Sequence, residues 1–194
     1  MPEADDLRIQ LRHAGRLARS QLSPHERQQA SAIVVARLAA LPEVRRARRV
    51  LVTAAIGDEL DLFALHAAVR ATGGIIALPV TRGLDLVVVD HAHDGLLVAG
   101  WRGVHEPTGP PAAGPVDVVI APALAVDGRG GRLGYGGGHF DRFLAGPACD
   151  AAVIGAVFAC QIVDELPLRA HDVRLQVVVT EAGTHRTGAP RARG

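Results

Sequence analysis

Residues 118–144 have the sequence VVIAPALAVDGRGGRLGYGGGHFDRFL, which gives the strongest indication of the fold. Its first four residues are apolar, and three of them are β-branched, which is typical of a strand buried on both faces of a parallel sheet. A glycine-rich loop follows, and the spacing from Phe140 to Leu144 then predicts the start of a helix. Strand, loop and helix in this order indicate a ligand site at the carboxyl end of the strand.

Helices and apolar strands alternate along much of the chain. The predicted helices are Leu7 to Ser20, Ser23 to Ala40, Asp61 to Ala71 and the helix beginning at Phe140. The predicted strands are Val50 to Ala55, Ile75 to Pro79, Leu84 to Val89, Gly95 to Trp101, Val116 to Ala121, Ala152 to Phe158 and Val177 to Thr180. This alternation favours an α/β fold, a three-layer Rossmann-like sandwich with a mostly parallel sheet. We expect one domain over residues 1–182 and a disordered tail over residues 183–194.

The first predicted helix is amphipathic. Its apolar residues, close to one face, are Leu7, Leu11, Ala14 and Leu17, and its arginines on another face are Arg8, Arg12 and Arg16. Because Arg8 and Arg12 are four residues apart, both can point at the same anion. An ordinary solvated helix face is the alternative for this pair.

Composition excludes several classes of function. The net charge of +1 argues against a nucleic-acid partner, which usually requires a strongly basic face. The longest apolar runs are roughly ten residues, too short to span a bilayer. The chain has no secretory pattern, and its two cysteines lack metal-binding spacing. We therefore expect a cytoplasmic protein with small-molecule partners and no membrane partner, and a monomer, since no apolar stripe remains unexplained.

The glycine-rich loop combines features that suit a phosphate group. Glycines at four of the five positions 134–138 leave the main-chain N–H groups bare, and such groups can form an anion-binding nest. A helix starting near residues 138–140 would point its positive end at the same place. Arg132 adds a planar cation, and Asp141 can reach Mg²⁺ held by phosphate oxygens. The loop is not a P-loop, since no Gly-Lys-Ser/Thr follows. By glycine content alone, an ordinary turn between strand and helix is the alternative to a phosphate site.

Several motifs together resemble those of a known family. Residues 132–142, RLGYGGGHFDR, with PALAVD at 122–127 upstream, resemble the signature of the 5-formyltetrahydrofolate cyclo-ligases, also called methenyltetrahydrofolate synthetases. Weaker matches follow in the family's order over roughly residues 7–181. They are Arg8-x-x-Leu11-Arg12, Asp58-Glu59, Leu78-Pro79, Gly103-x-x-Glu106-Pro107, His171-Asp172 and Val179-Thr180-Glu181.

The resemblance implies an activity and a set of site residues. In the family, ATP phosphorylates the formyl oxygen of 5-formyltetrahydrofolate, the neighbouring amine attacks the activated carbon, and phosphate leaves to give 5,10-methenyltetrahydrofolate. ATP as co-substrate, a reduced folate and Mg²⁺ are therefore the implied ligands. The implied ATP-binding residues are Arg8, Arg12, Arg132, Leu133, Gly134, Tyr135, Gly136, Gly137, Gly138, His139 and Phe140. The implied folate-binding residues are Ala54, Glu59, Tyr135, Gly136, Gly137, Gly138 and His139. The implied catalytic residues are Arg132, Tyr135 and His139, and the implied Mg²⁺ ligands are Asp141 and Asp172.

The chain departs from the family pattern at three places. His139 and Phe140 stand where the family usually has aromatic hydroxyls before the aspartate. A donor role for His139 would make activity depend on pH. Val80 replaces a residue that is often basic, for which Arg82 is a candidate substitute, and Gln176 replaces a common second aspartate.

Simpler interpretations of the site residues remain open. Glu59 could be a neighbour of a helix N-cap, and Asp141 could pair with Arg142 at a helix start. Asp172 could pair with Arg169 or Arg174. Two other functions are also open: a family member that binds nucleotide or folate without turnover, and an unrelated α/β phosphate-binding enzyme such as a sugar-phosphate isomerase.

Overall fold

The protein is built around one large sheet with helices on both faces. The computed structural model describes residues 2–92, 94–100 and 103–190. The helices are α1 (Pro2–Ser20), α2 (Pro24–Ala40), α3 (Pro42–Arg46), α4 (Leu65–Ala71) and α5 (His139–Ala145). The strands are β1 (Arg49–Leu51), β2 (Ile75–Arg82), β3 (Asp85–His91), β4 (Leu97–Ala99), β5 (His105–Pro107), β6 (Val118–Ala121), β7 (Ala125–Asp127), β8 (Arg132–Leu133), β9 (Ala152–Ala156), β10 (Ile162–Val163), β11 (Val177–Val179) and β12 (Thr184–Arg186).

The large sheet has seven strands in the order β12-β11-β9-β6-β1-β2-β3. The five central strands, β11 to β2 in this order, are parallel, whereas β3 and β12 pair antiparallel at the two edges. The predicted α/β fold with a mostly parallel sheet is confirmed. Because the carboxyl ends of the parallel strands meet at one edge, the loops that follow them converge there.

Alternate strand residues supply two separate cores, one on each side of the sheet. On one side, Val118 and Ile120 of β6 pack in a cluster with Val34 and Leu38 of α2. On the other side, Val119 of β6 belongs to a second cluster, which also includes residues of α5. This two-residue alternation gives the sheet a layer of helices on each face.

The start of α2 follows directly from its sequence. The hydroxyl of Ser23 accepts a hydrogen bond from the Glu26 N–H, and the Glu26 carboxylate accepts one from the Ser23 N–H. Pro24 at the first helical position needs no hydrogen-bond partner for its nitrogen. This capping box confirms the predicted start of the helix.

Helix α1 turns Arg8 and Arg19 inward, whereas Arg16 and much of its apolar stripe are exposed. Leu7 and Leu17 are 44% and 51% exposed, whereas Arg8, Gly15 and Arg19 are buried. At 3.6 residues per turn these three buried residues lie within about 40° of one another. The expectation that every apolar stripe is explained is therefore wrong for α1. The physical reason is that this helix lies against a polar site, where its arginines find partners.

Gly15 lets α1 approach the main chain closely. A Cβ atom at this position would lie 1.9 Å from the Leu124 carbonyl oxygen, far inside van der Waals contact. Leu124 directly precedes β7, so the contact joins α1 to the strand that leads into the glycine-rich loop. Only a residue without a side chain fits this contact.

Several predicted bounds are wrong. The strand predicted for Val50 to Ala55 ends at Leu51, which leaves Ala54 in the following loop. The predicted helix Asp61 to Ala71 begins only at Leu65. Trp101, in the strand predicted for Gly95 to Trp101, lies outside the described residues, and β4 covers Leu97–Ala99.

The predicted disorder of residues 183–194 is wrong for part of that segment. Residues Thr184–Arg186 form β12, which pairs antiparallel with β11. The three residues are exposed and polar, so they carry no apolar pattern that would predict a strand. Their extended form depends on the free edge that β11 offers. Residues 191–194 lie outside the described part of the chain.

Replacing Gly15 with alanine should destabilise the protein. In an open helix this change would stabilise by about 1 kcal/mol. Here the added methyl group overlaps the Leu124 carbonyl, so we expect a net loss of about 1–3 kcal/mol. Urea unfolding measures the difference, with Gly128→Ala as the matched control because a Cβ at Gly128 meets nothing within 4 Å. An unfolding midpoint for Gly15→Ala at or above that of the unchanged chain would contradict the close approach of α1.

Candidate active site

A cavity opens at the carboxyl edge of the sheet, where the loops after β1, β6 and β8 meet α1. It brings together residues that are far apart in the sequence. The predicted site residues that line it are Arg8, Arg12, Ala54, Glu59, Arg132, Gly134, Tyr135, Gly136, Gly137, Gly138, His139, Phe140, Asp141 and Asp172. The fold therefore places nearly all of the predicted site residues around one space.

Leu133 is the exception among the predicted site residues. Its side chain is fully buried and packs in a small core cluster with Leu166. Its carbonyl accepts a hydrogen bond of 2.7 Å from the Leu124 N–H. Leu133 thus holds the base of the loop and does not line the cavity, so its side chain cannot bind ATP there.

Asp127 folds the turn that leads into the glycine-rich loop. This carboxylate is 2% exposed and accepts hydrogen bonds from the N–H groups of Arg129, Gly131 and Leu166. Three main-chain donors compensate its burial. The signature aspartate of the PALAVD motif therefore has a structural role, which is to fix the start of β8.

The glycine-rich loop presents its main chain to the cavity. Gly136 and Gly138 have φ angles of 94° and 66°, which residues with side chains rarely adopt. Among the described residues, none accepts a hydrogen bond from the five N–H groups of residues 134–138. Helix α5, which begins directly after the loop, has only seven residues, so its dipole is small. Consecutive free N–H groups at a cavity wall suit an anion with several oxygens.

Arg12 and Arg132 flank this loop, and Arg12 contacts it directly. The Arg12 Nε donates to the Gly134 carbonyl at 2.8 Å, and its guanidinium lies beside Gly136. Partial burial, followed by repulsion from Arg8 and Arg169, holds the pKa of Arg12 below its ordinary value. Arg12 stays charged at neutral pH, but cations crowded in this way favour the arrival of an anion.

The two predicted metal ligands each pair with an arginine. Arg132, whose side chain is 2% exposed, donates from Nη2 to the Asp141 Oδ1 at 2.6 Å. Arg8 donates from Nη1 to the Asp172 Oδ2, also at 2.6 Å. The alternative pairing of Asp141 with Arg142 is therefore wrong, and so is the solvated face suggested for Arg8.

Asp172 is held on both of its oxygens. Besides Arg8, the Arg169 N–H donates to Oδ2 at 2.8 Å. Burial acts to raise the pKa of Asp172, whereas the hydrogen bonds from Arg8 and the Arg169 N–H act to lower it. The lowering is larger, so this pKa lies below its ordinary value. The Arg174 side chain donates instead to the Arg129 carbonyl, so the alternative pair of Asp172 with Arg174 is not formed.

At the other end of the cavity, Glu59 meets Tyr135. The Tyr135 hydroxyl donates to the Glu59 Oε1, and the Ile56 N–H donates to the Oε2 at 3.0 Å. Glu59 therefore does not act as an N-cap neighbour of α4. Burial first, and then the Glu59 carboxylate, raise the pKa of Tyr135 above its ordinary value. Tyr135 is a neutral hydrogen-bond donor at physiological pH and cannot act as a base there.

The sequence prediction missed Arg19, which lies behind this pair. Arg19 is 6% exposed and forms an ion pair of 2.7 Å with Asp58. A signal for it was present in the sequence, because residues 8 and 19 are eleven apart and so share a helix face. Its partners, however, come from distant loops that helical spacing cannot indicate.

His139 and Phe140 sit at the junction of the loop and α5. The His139 Nε2 lies 3.2 Å from the Gly83 carbonyl oxygen in the turn between β2 and β3. Arg142 binds the same turn through the Leu84 carbonyl and also donates to the Gly137 carbonyl. Phe140 packs against the second core cluster. The turn between β2 and β3 thus fixes the far end of the glycine-rich loop.

The other two departures from the family pattern, at positions 80 and 176, do not reach the cavity, and neither does Arg82. Val80 is buried in β2. Arg82 is exposed, and in the part of the chain that the structure describes its side chain donates only to the Thr81 carbonyl. The Gln176 Oε1 accepts from the Val153 N–H, so Gln176 supports the sheet and does not contact the site. Glu106, in contrast, lines the cavity and accepts a hydrogen bond of 2.9 Å from the Thr81 N–H. The Gly-x-x-Glu-Pro motif was the sequence signal for this residue.

Known proteins resemble this chain over most of its length. The model of the 5-formyltetrahydrofolate cyclo-ligase family matches residues 3–181. The chain belongs to the 5-formyltetrahydrofolate cyclo-ligase family. A 5-formyltetrahydrofolate cyclo-ligase of Mycolicibacterium smegmatis is 39% identical over 134 residues, which cover 64% of this chain and 69% of that protein. One from Escherichia coli is 30% identical over 173 residues, 85% of this chain and 95% of that protein.

A solved structure supports the same membership of the cyclo-ligase family. The NMR structure of Aquifex aeolicus 5,10-methenyltetrahydrofolate synthetase has a TM-score of 0.82 and 30% sequence identity. The match covers 97% of this chain and 96% of that chain. The family resemblance of the motifs is therefore confirmed. In the described residues of this family member, no helix is both long and apolar enough to cross a membrane.

Replacing Asp172 with asparagine should lower stability at neutral pH, by on the order of 2 kcal/mol, because Arg8 then lacks its buried partner. Since the folded pKa of Asp172 lies below the ordinary 3.8, its stabilising effect is present above that value. The effect is lost as the pH falls through the lower folded pKa, so the two proteins should converge in acid. Urea unfolding over a pH series measures this.

The matched control for that series is Glu165→Gln. Glu165 pairs with Arg129 at 2.8 Å, but both side chains are about 70% exposed, so the change should shift stability by less than about 1 kcal/mol. If Asp172→Asn and Glu165→Gln lost the same small amount at neutral pH, the Arg8–Asp172 pair would not stabilise the fold as described.

Proposed function

We propose that this protein is an active cyclo-ligase, which uses ATP to cyclise 5-formyltetrahydrofolate to 5,10-methenyltetrahydrofolate with release of ADP and phosphate. The observation that supports this most directly is the row of free N–H groups at residues 134–138, placed between Arg12 and Arg132. Membership of the cyclo-ligase family agrees with it. The alternative of an unrelated phosphate-binding enzyme is thereby set aside.

The phosphates of ATP are assigned to the loop side of the cavity. Phosphoryl transfer depends mostly on position and on compensation of charge. The loop N–H groups supply position, and Arg12 and Arg132 supply positive charge. Arg8 also lines this side, but its guanidinium is engaged by Asp172. Arg12 uses only its Nε for the Gly134 carbonyl, so its remaining N–H groups can bind phosphate oxygens.

The folate is assigned to the side where Glu59 and Tyr135 meet. A carboxylate accepts hydrogen bonds from the amino group and ring N–H of a pterin. The Tyr135 hydroxyl, which stays protonated, can donate to an oxygen of the substrate when it leaves Glu59. Ala54, in the loop after β1, lines the same cavity. Because its side chain is a single methyl group, a flat ring can approach the main chain there. Tyr135 lies in the glycine-rich loop, so the two substrates meet there.

The reaction then follows in two steps. The formyl oxygen attacks the γ-phosphorus, the bond to the bridging oxygen breaks, and ADP leaves. The neighbouring amine next attacks the formyl carbon, the carbon–oxygen bond breaks, and phosphate leaves with the bonding electrons as the amine proton is released. Arg132 and the loop N–H groups are suited to stabilise the charge on the transferred phosphoryl group. His139, near the same loop, is a candidate donor in place of the missing aromatic hydroxyl.

Mg²⁺ fits the site through Asp141. The Oδ1 of Asp141 accepts from Arg132 and from the Val173 N–H, while Oδ2 bonds to none of the described residues. No cluster of three or more His, Cys, Asp or Glu side chains suited to a metal occurs in the described ranges. One carboxylate beside phosphate oxygens and water is a common set of Mg²⁺ ligands. When bound, Mg²⁺ would neutralise phosphate charge, with Asp172 as a second ligand only if Arg8 moves to phosphate.

The proposal also includes a cytoplasmic location, taken from the sequence. Action as a monomer stays a prediction, and its ground, that every apolar stripe is explained, does not hold for α1. The remaining competitor is a family member that binds its ligands without turnover. His139 and Phe140, in place of aromatic hydroxyls, are the features that favour this competitor.

The direct test follows the absorbance of the methenyl product after the protein is mixed with 5-formyltetrahydrofolate, Mg²⁺ and ATP. We expect product only when all three are present, because each has a separate role at the cavity. Binding of both substrates by calorimetry without product would favour the binding module. The proposal would be overturned if the protein neither bound the substrates nor formed the product.

Arg132→Ala should weaken the binding of ATP more than the binding of folate, because Arg132 lies beside the phosphate side of the cavity. Loss of a hydrogen bond to a charged group predicts an increase of about tenfold or more in the KM for ATP. Steady-state kinetics with each substrate varied in turn gives both constants. The matched control is Arg129→Ala, since Arg129 is 72% exposed in its side chain and lies outside the cavity lining. Equal losses for ATP and folate would contradict the assignment of Arg132.

A further inference from the structure

Arg19 joins three segments of the chain behind the folate side of the cavity. From α1, its Nη2 forms an ion pair of 2.7 Å with the Asp58 Oδ1, and its Nη1 lies 3.5 Å from the Glu59 Oε1. Nη1 and Nη2 lie 3.5 and 3.4 Å, respectively, from the Tyr135 hydroxyl oxygen. One planar guanidinium thus faces two carboxylates and a phenol at once.

Arg19 acts from outside the cavity. Glu59 and Tyr135 line the cavity, whereas Arg19 and Asp58 are absent from its lining as far as the described residues show. Arg19 is 6% exposed, and its Nε is buried without a hydrogen-bond partner among those residues. Burying such a cation is unfavourable unless its charge is matched, so the contacts to the carboxylates decide its position.

A fixed carboxylate is what the folate side requires. Glu59 can accept pterin N–H groups only while its oxygens face the cavity, and its side chain is 13% exposed. Asp58 anchors the guanidinium from one side, so the other side of the fork is left to orient Glu59 and Tyr135. Lysine has three donors on a single nitrogen, which cannot match partners placed around two separate guanidinium nitrogens.

We propose that Arg19 is a positioning residue for folate: it fixes the Glu59 carboxylate and the Tyr135 hydroxyl without touching the substrate. This inference rests on the proposed cyclo-ligase function. It adds α1 to the folate side of the site, while the arginines nearer the start of the same helix serve the phosphate side.

The kinetic test compares Arg19→Lys and Arg19→Met with the unchanged enzyme. We expect the KM for 5-formyltetrahydrofolate to rise about tenfold while the KM for ATP changes less than about twofold. Arg37→Met is the matched control. Among the described residues its Nε is also buried without a partner, and its side chain donates only to the Glu181 carbonyl, outside the cavity. Equal rises in both constants, or no rise in either, would overturn the inference.

A spectroscopic test gives a result that a merely structural role would not produce. Tyr135 is the only tyrosine, so the tyrosinate absorbance reports its ionisation alone. Burial and Glu59 raise the pKa of Tyr135, and Arg19 acts in the opposite direction. Arg19→Met should therefore move the titration to higher pH, and Glu59→Gln should move it lower. An unchanged titration in Arg19→Met would show that Arg19 does not hold Tyr135.

A milder variant covers the case in which Arg19→Met does not fold. Asp58→Asn removes only the anchor of Arg19 and should also raise the KM for folate; an unchanged KM would count against the inference.

The unchanged enzyme separates the two proposals. If it shows no turnover, the cyclo-ligase function fails, while the Tyr135 titration still tests the position of Arg19. If it turns over and the Arg19 variants keep a normal KM for folate, only the positioning role fails.

Discussion

One close contact, between α1 and the main chain before β7, sets the arrangement of the site, and Gly15 allows it. At this distance the helix can turn Arg8, Arg12 and Arg19 toward the carboxyl edge of the sheet. Any side chain at position 15 would hold the helix away from the Leu124 carbonyl. The cavity therefore has a positive wall because one residue in the helix has no side chain. A helix placed a few ångströms farther out would leave the carboxylates of the site without partners.

Buried charge explains how the two halves of the site stay separate. The Arg8–Asp172 and Arg132–Asp141 pairs lie on the side proposed for phosphate, and the contacts of Arg19 lie on the side proposed for folate. In each pair the opposite charges compensate each other, which offsets the free-energy cost of burying them partly. Triphosphate can take over the role of the carboxylates as the partner of the arginines. The site is thus ordered before substrate arrives, with its polar groups already directed inward.

The sequence predicted the fold class and the family because local patterns determine both. The apolar run of β6, the glycines that follow it and the capping box at Ser23 are short-range signals. The orientation of α1 could not be predicted, since helical spacing separates two faces without saying which one meets a polar site. Arg19 was missed because its partners at positions 58, 59 and 135 are distant in sequence. Strand β12 was missed because its extended form comes from the edge of β11, and not from its own residues.

Binding of the ATP phosphates by the main chain of residues 134–138 can be tested on the amide signals of these residues. The protein is labelled with ¹⁵N-glycine, and ATP and Mg²⁺ are added stepwise. We expect Gly134, Gly136, Gly137 and Gly138 to shift together and saturate with one affinity. Gly73, which follows α4 and is outside the cavity lining, should not move. If ATP saturated the protein and those four signals stayed unchanged, the phosphates would not bind at this loop.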